Sequence, residues 1–152
     1  MSNVHNEARD FLKSHTLGVL STVSEDSKPW GSAIYYAVGE HLDVYFLTRT
    51  SSRKYQNTLE NSNVALTITD DAQQMTIQLE GTVDEVTKRS EIDEAFSKLA
   101  AIHAPGVHTW APPVSKLHDG ESVVLKISPE IMQFADFRGD AASSSKPIKP
   151  VM

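Results

Sequence analysis

The chain has 152 residues, 39% of them hydrophobic and 22% charged, which suits one globular domain with its own core. Its net charge of −6 argues against non-specific nucleic-acid binding. The absence of cysteine excludes disulfides, thiolate catalysis and cysteine-ligated metal.

Residues 3–14 read as a leading helix, with Val4, Ala8, Phe11 and Leu12 at helical spacing. No apolar run of signal-peptide type occupies residues 1–13 and no stretch reaches membrane-spanning length, so the expected location is the cytoplasm. A first strand over 17–23 is followed by a polar turn ending in Lys28-Pro29. Strands over 30–38 and 42–48 form a hairpin around Gly39-Glu40. A short helix spans 53–60, with Ser51 or Ser52 as its N-cap and Asn61-Ser62-Asn63 at its end. A fourth strand covers 64–69. In the fifth, Met75, Ile77, Leu79 and Val83 alternate with polar residues, and Gly81 inside it marks a bulge or close backbone approach. Residues 88–104 read as an amphipathic helix with Ile92, Phe96, Leu99 and His103 on one face. An ordered loop covers 107–120, and a sixth strand starts near Val123 and runs to Phe137. Residues 139–152, rich in Ser, Ala, Lys and Pro, read as a disordered tail. Six mostly antiparallel strands with flanking helices predict a small β-barrel over residues 1–138.

Chemistry concentrates where the third strand meets the short helix. Between Thr48 and Lys54 stand four hydroxyl side chains and three cations, together with the free N–H groups of a new helix. Arg53 and Lys54 fall in the first turn, where the macrodipole disfavours positive charge. A solvated helix start with surface cations is one reading of this pattern. The other is an anion site, in which N–H groups and cations share one phosphate.

The run Tyr45-Phe46-Leu47-Thr48, then Ser52-Arg53-Lys54, then Asn61-Ser62-Asn63-Val64-Ala65-Leu66 resembles the flavin-binding segment of the pyridoxamine 5′-phosphate oxidase-like family. The Lys28-Pro29 turn and the Glu80-Gly81-Thr82-Val83 step extend the likeness over residues 11–137. The resemblance implies a six-stranded antiparallel split β-barrel that binds FMN, usually as a homodimer with the flavin between subunits. It places the FMN phosphate on Arg53 and Lys54, assisted by Ser52 and Thr48, with Leu47 beside them. Ser32, Ala33, Ile34 and Tyr35 would run along the flavin and offer backbone hydrogen bonds. Thr76 matches a glutamine that faces the flavin, and Ser32 matches an arginine of the vitamin-metabolising oxidase. That oxidase holds its substrate's phosphate with a lysine at the position of Ala37, and its arginine-containing C-terminus is missing here. The resemblance therefore implies an FMN-dependent oxidoreductase with another small-molecule substrate, or a non-catalytic flavin protein for storage, sensing or stress response. The same fold with a deazaflavin coenzyme or haem is the further alternative.

Other candidates carry less. Trp110 either caps the flavin or its substrate from the partner subunit or anchors its loop. His103, His108 and His118 flank an irregular segment without a helical i,i+4 pair, so no metal site is expected. Tyr35 and Tyr36 point to opposite faces of their strand, so only one of them can face a flavin.

Overall fold

The computed structural model describes residues 3–102, 122–138 and 148–152. Helix α1 (Asn3–Ser14) presents Ala8, Phe11 and Leu12 on one stripe, and all three are buried. It is followed by strands β1 (Leu17–Val23), β2 (Pro29–Tyr35) and β3 (Ala37–Val38), a 3₁₀ turn at Glu40–Leu42, and β4 (Val44–Arg49). Helix α2 (Arg53–Glu60), strands β5 (Asn63–Asp70) and β6 (Met75–Glu85), helix α3 (Arg89–Ala100), and strands β7 (Ser122–Asp136) and β8 (Ile148–Pro150) complete the described elements.

All these strands join one antiparallel sheet in the order β2-β1-β5-β6-β7-β4-β3, with β8 added to β7. β2 and β3 stand at opposite ends of this path, yet only Tyr36 separates them in sequence. The sheet has therefore curled until its two edges meet at one residue, which makes it a split barrel. The single strand expected over 30–38 is divided here because its first part pairs with β1 and its last part with β4. Tyr36 sits at the division, 2% exposed, and its hydroxyl donates to the Leu12 carbonyl at 2.7 Å. That bond ties α1 over the seam.

The period-two pattern sends one side of each strand into the barrel. Leu20, Phe46, Leu66, Ile68, Ile77 and Ile127 are fully buried there. α2 covers one end: the Asn57 amide donates to Thr22 Oγ1 of β1 at 3.0 Å, and both residues are buried. α1 covers another, where Phe11 meets Phe134 edge-on at 5.4 Å. His15 follows α1, with one ring nitrogen 2.7 Å from the Phe11 carbonyl and the other 2.8 Å from Asp70. Outside the barrel, Tyr45 donates to Glu91 of α3 at 2.5 Å and Lys126 donates to the same carboxylate at 3.0 Å. Those two bonds hold the Glu91 carboxyl below its usual range, Tyr45 first.

Three expectations need correction. The long helix ends at Ala100, short of the expected Ala104, because the Ala101 N–H is shared between the Ser97 and Lys98 carbonyls and the Ile102 N–H bonds Leu99, three residues back, which tightens the turn. Its buried residues are Ala95 and Leu99, while Phe96 is 36% exposed, because the contacts to β4 and β7 fall one residue away from it. The end of the chain is not all tail: Ile148–Pro150 pairs with Gln133, Phe134 and Ala135 of β7. The Val151 N–H continues this edge to the Met132 carbonyl at 2.8 Å. All three β8 side chains are exposed, so backbone pairing holds the strand, and composition carries no trace of it. The expected bulge at Gly81 is present, since Glu80 pairs with Ile131 but Gly81 pairs with Pro129.

Candidate functional site

The β4–α2 junction is built on hydroxyl groups. Thr48, the last inward-facing residue of β4, is 3% exposed, and its Oγ1 lies 2.7 Å from Ser52 Oγ. Ser52 is the N-cap of α2 and accepts from the Tyr55 N–H at 3.2 Å. Of the two serines considered for this cap, Ser52 takes the role. Gln56 donates to the Thr50 carbonyl at 2.7 Å and closes the turn before the helix.

Arg53 and Lys54 project from this first turn into different surroundings. Arg53 is exposed, and its guanidinium carbon sits 4.1 Å from the centre of the Trp30 ring at the start of β2. Lys54 is partly buried, and burial pushes its ammonium below the ordinary lysine range. Among the described residues no carboxylate or other hydrogen-bond partner meets Lys54. A half-buried cation at a helix N-terminus with no counter-ion is what an anion site needs.

The residues expected along β2 divide by face. Ser32 and Ile34 share the inward side with Leu20 and Gly18 of β1, their register partners. Ile34 is 4% exposed and belongs to the core, so only its backbone is available to a ligand. The Ser32 hydroxyl is buried and has no hydrogen-bond partner among the described residues, two residues along from Trp30 on the same side. Ala33 and Tyr35 point outward beside Val19 and Leu17. Tyr35 is partly buried against Ala37, Leu99 and Ile102, so Tyr36 is the barrel-facing member of the pair. Leu47 faces out of the barrel toward α3, packing near Ala95 and Leu99, and offers this junction only its backbone.

Thr76 does not join this group within one chain. It lies on the outer face of β6, separated from β2 by β5 and β1, and its hydroxyl donates to Thr69 Oγ1 at 3.2 Å. Trp110, His103, His108 and His118 lie outside the described residues. Among the described residues no three metal-ligating side chains converge, and no helix is long and apolar enough to cross a membrane.

Two features escaped sequence reasoning. Trp30 lies against Arg53 only because the barrel closes, so no local pattern announces the contact. The second is a cavity of about 550 Å³ between α1, the Tyr36 seam and α3, lined by Leu12, Lys13, His15, Tyr36, Ala37 and Lys98 among others. Its described lining mixes apolar and basic side chains, of which Lys98 lies 3.4 Å from Glu94 and His15 2.8 Å from Asp70.

Residues 4–135 match the family model described as pyridoxamine 5′-phosphate oxidase. The chain belongs to this family. Several proteins of known structure share the fold at low identity. General stress protein 26 from Bacillus anthracis str. Sterne superposes with a TM-score of 0.68 at 20% identity, over 88% of this chain and 94% of that one. A heme binding protein from Mycobacterium smegmatis gives 0.73 at 15% identity, over 99% of this chain and 58% of that one. An F420 reductase gives 0.61 at 21% identity, over 82% and 94%. At these identities the likeness is one of fold. None of the curated proteins matches the chain significantly.

Proposed function

We propose that the chain binds FMN with its phosphate at the start of α2 and acts as a flavin-dependent oxidoreductase on a small molecule. The observation that carries this reading is Lys54: partly buried, without a counter-ion among the described residues, and next to Arg53 in the first turn of the helix that Ser52 caps. The unpartnered Ser32 hydroxyl is a second sign that a polar ligand completes this region. Arg53, Lys54, Ser52 and Thr48 would hold the phosphate. Backbone groups of Leu47 and of Ser32, Ala33, Ile34 and Tyr35 would line the ring. When bound, the flavin supplies the hydride and electron transfer, while the protein orients it and excludes water. Thr76 would reach a flavin only from a second copy of the chain. Leu17 and Val19 are 49% and 48% exposed next to Ala33 on the outer face, and such an apolar face suits a homodimer partner. Oxidation of pyridoxamine phosphate is not part of the proposal, because the buried methyl of Ala37 offers no charge to a substrate phosphate.

Visible absorption of the purified protein tests the cofactor, since oxidised flavin, deazaflavin and haem absorb in different bands. The F420 and haem names among the structural relatives make those two spectra the relevant alternatives. A colourless protein with no affinity for added FMN overturns the reading. Light scattering on the same sample should give twice 16.7 kDa, and a monomer would remove the interface from the proposal. Stopped-flow mixing with NADH or NADPH then separates an enzyme from a flavin carrier, which neither donor would reduce.

Lys54 also sets a pH dependence. Burial lowers its pKa in the free protein, and an adjacent phosphate dianion would raise it. A group whose pKa rises on binding adds affinity that is complete below the free-protein value and disappears as pH climbs through the bound value. FMN affinity is therefore expected to fall on the alkaline side while riboflavin affinity, lacking the phosphate, follows no such trend. Lys54→Arg should flatten the profile, because a guanidinium stays charged. Parallel profiles for FMN and riboflavin would show that Lys54 does not face the phosphate.

A further inference from the structure

Arg53 has a long side chain in a first helical turn, where the macrodipole opposes its charge and solvent competes for it. Among the described residues it makes no ion pair. What it does meet is Trp30, with the guanidinium carbon 4.1 Å from the ring centre, well inside the distance of about 6 Å at which an aromatic face attracts a cation. Trp30 itself is 43% exposed, so its ring is open to a cation from the surface.

The two partners come from different sides of the barrel seam. Trp30, the second residue of β2, pairs with Thr22 of β1, and Thr22 Oγ1 accepts the Asn57 amide of α2 at 3.0 Å. The strand that carries the ring and the helix that carries the cation are thus locked to one another through Thr22. With both backbones fixed, the ring face defines a place for the guanidinium, while its N–H groups stay free at the edge to meet a ligand. A guanidinium can stack and donate hydrogen bonds at the same time.

We infer that Trp30 is a positioning residue, which holds Arg53 over the start of α2 so that its donors are already oriented toward the phosphate. This rests on the phosphate reading given above. Preorganising a long side chain removes ordering cost at the moment of binding, so the gain belongs to the phosphate part of the ligand alone. Trp30 would not need to touch the flavin.

The test uses FMN and riboflavin, binding to the full chain, and a double-mutant cycle with Arg53. Trp30→Leu is expected to weaken FMN about two- to fivefold and to leave riboflavin affinity unchanged. Trp30→Phe should recover most of the loss, because a smaller aromatic face still attracts the cation. In an Arg53→Ala background, Trp30→Leu should cost nothing further. Thermal melts of every variant report on folding, and the riboflavin arm removes any general damage to the site. If Trp30→Leu weakens FMN and riboflavin equally, or weakens FMN as much without Arg53 as with it, Trp30 is only packing and the inference fails. If wild-type protein binds riboflavin but gains nothing from the FMN phosphate, the phosphate reading itself is wrong and the positioning role falls with it.

Discussion

Replacing Arg53 and Lys54 together by alanine is expected to weaken FMN binding a hundredfold or more while leaving the fold intact. A hydrogen bond to a charged group contributes about 1.5–3 kcal/mol, and each 1.4 kcal/mol is a factor of about ten in affinity. Arg53 is exposed, so solvent screens it and its share lies at the low end. Lys54 is partly buried and unpaired among the described residues, so it supplies more of the total. The fold should survive because neither side chain holds it: Arg53 only stacks on Trp30, and alanine is the best helix former at both positions. The Ser52 cap and the Asn57–Thr22 bond stay in place. Titration of FMN fluorescence against wild type and variant measures the loss, with far-UV circular dichroism to confirm the helices. A variant that binds FMN within threefold of wild type would move the phosphate away from α2.

How far this site is legible without coordinates depends on the range of the interactions involved. The limits of α2 follow from the Ser52 cap and the Asn61 stop, which are local, and the observed helix spans the expected residues. The cation pair and its awkward place at a helix start are local too. The alternating pattern of β6 likewise announces the strand and its inward face. What fails to show are contacts made by closure of the sheet. The break at Tyr36 arises because one segment serves both edges, and an uninterrupted run of strand-forming residues hides it. Trp30 reads as an ordinary strand residue until β2 and α2 come together. Ile34 and Leu47 are in the expected segments, but their side chains turn to the core and to α3, so only backbone is left for a ligand. β8 escapes because an edge strand held by main-chain bonds needs no apolar signature.

Gly81→Ala is expected to destabilise the protein by about 3 kcal/mol, at the upper end of what overpacking usually costs. A Cβ at this position would stand 2.2 Å from the Ser128 carbonyl oxygen, 2.9 Å from its carbon and 3.0 Å from Pro129 Cα. All three are backbone atoms, so no side chain can swing away to make room. The strand pair involved is β6 with β7, at the middle of the sheet order, and the crowded point is the bulge where Glu80 pairs with Ile131 and Gly81 with Pro129. Relief would require β6 and β7 to separate there, which weakens the ladder that links the β1–β5 side to the β4 side. For a chain of this length the loss corresponds to a fall of about 6–12 °C in Tm. Gly31→Ala is the control, because its added Cβ would meet only Val19 Cγ1 at 3.5 Å, an ordinary contact. That variant should stay within about 1 kcal/mol of wild type or gain slightly from a stiffer unfolded chain. Urea and thermal melts of the two variants decide the matter. Equal stability of Gly81→Ala and Gly31→Ala would mean that β6 and β7 approach less closely at the bulge than the structure has them.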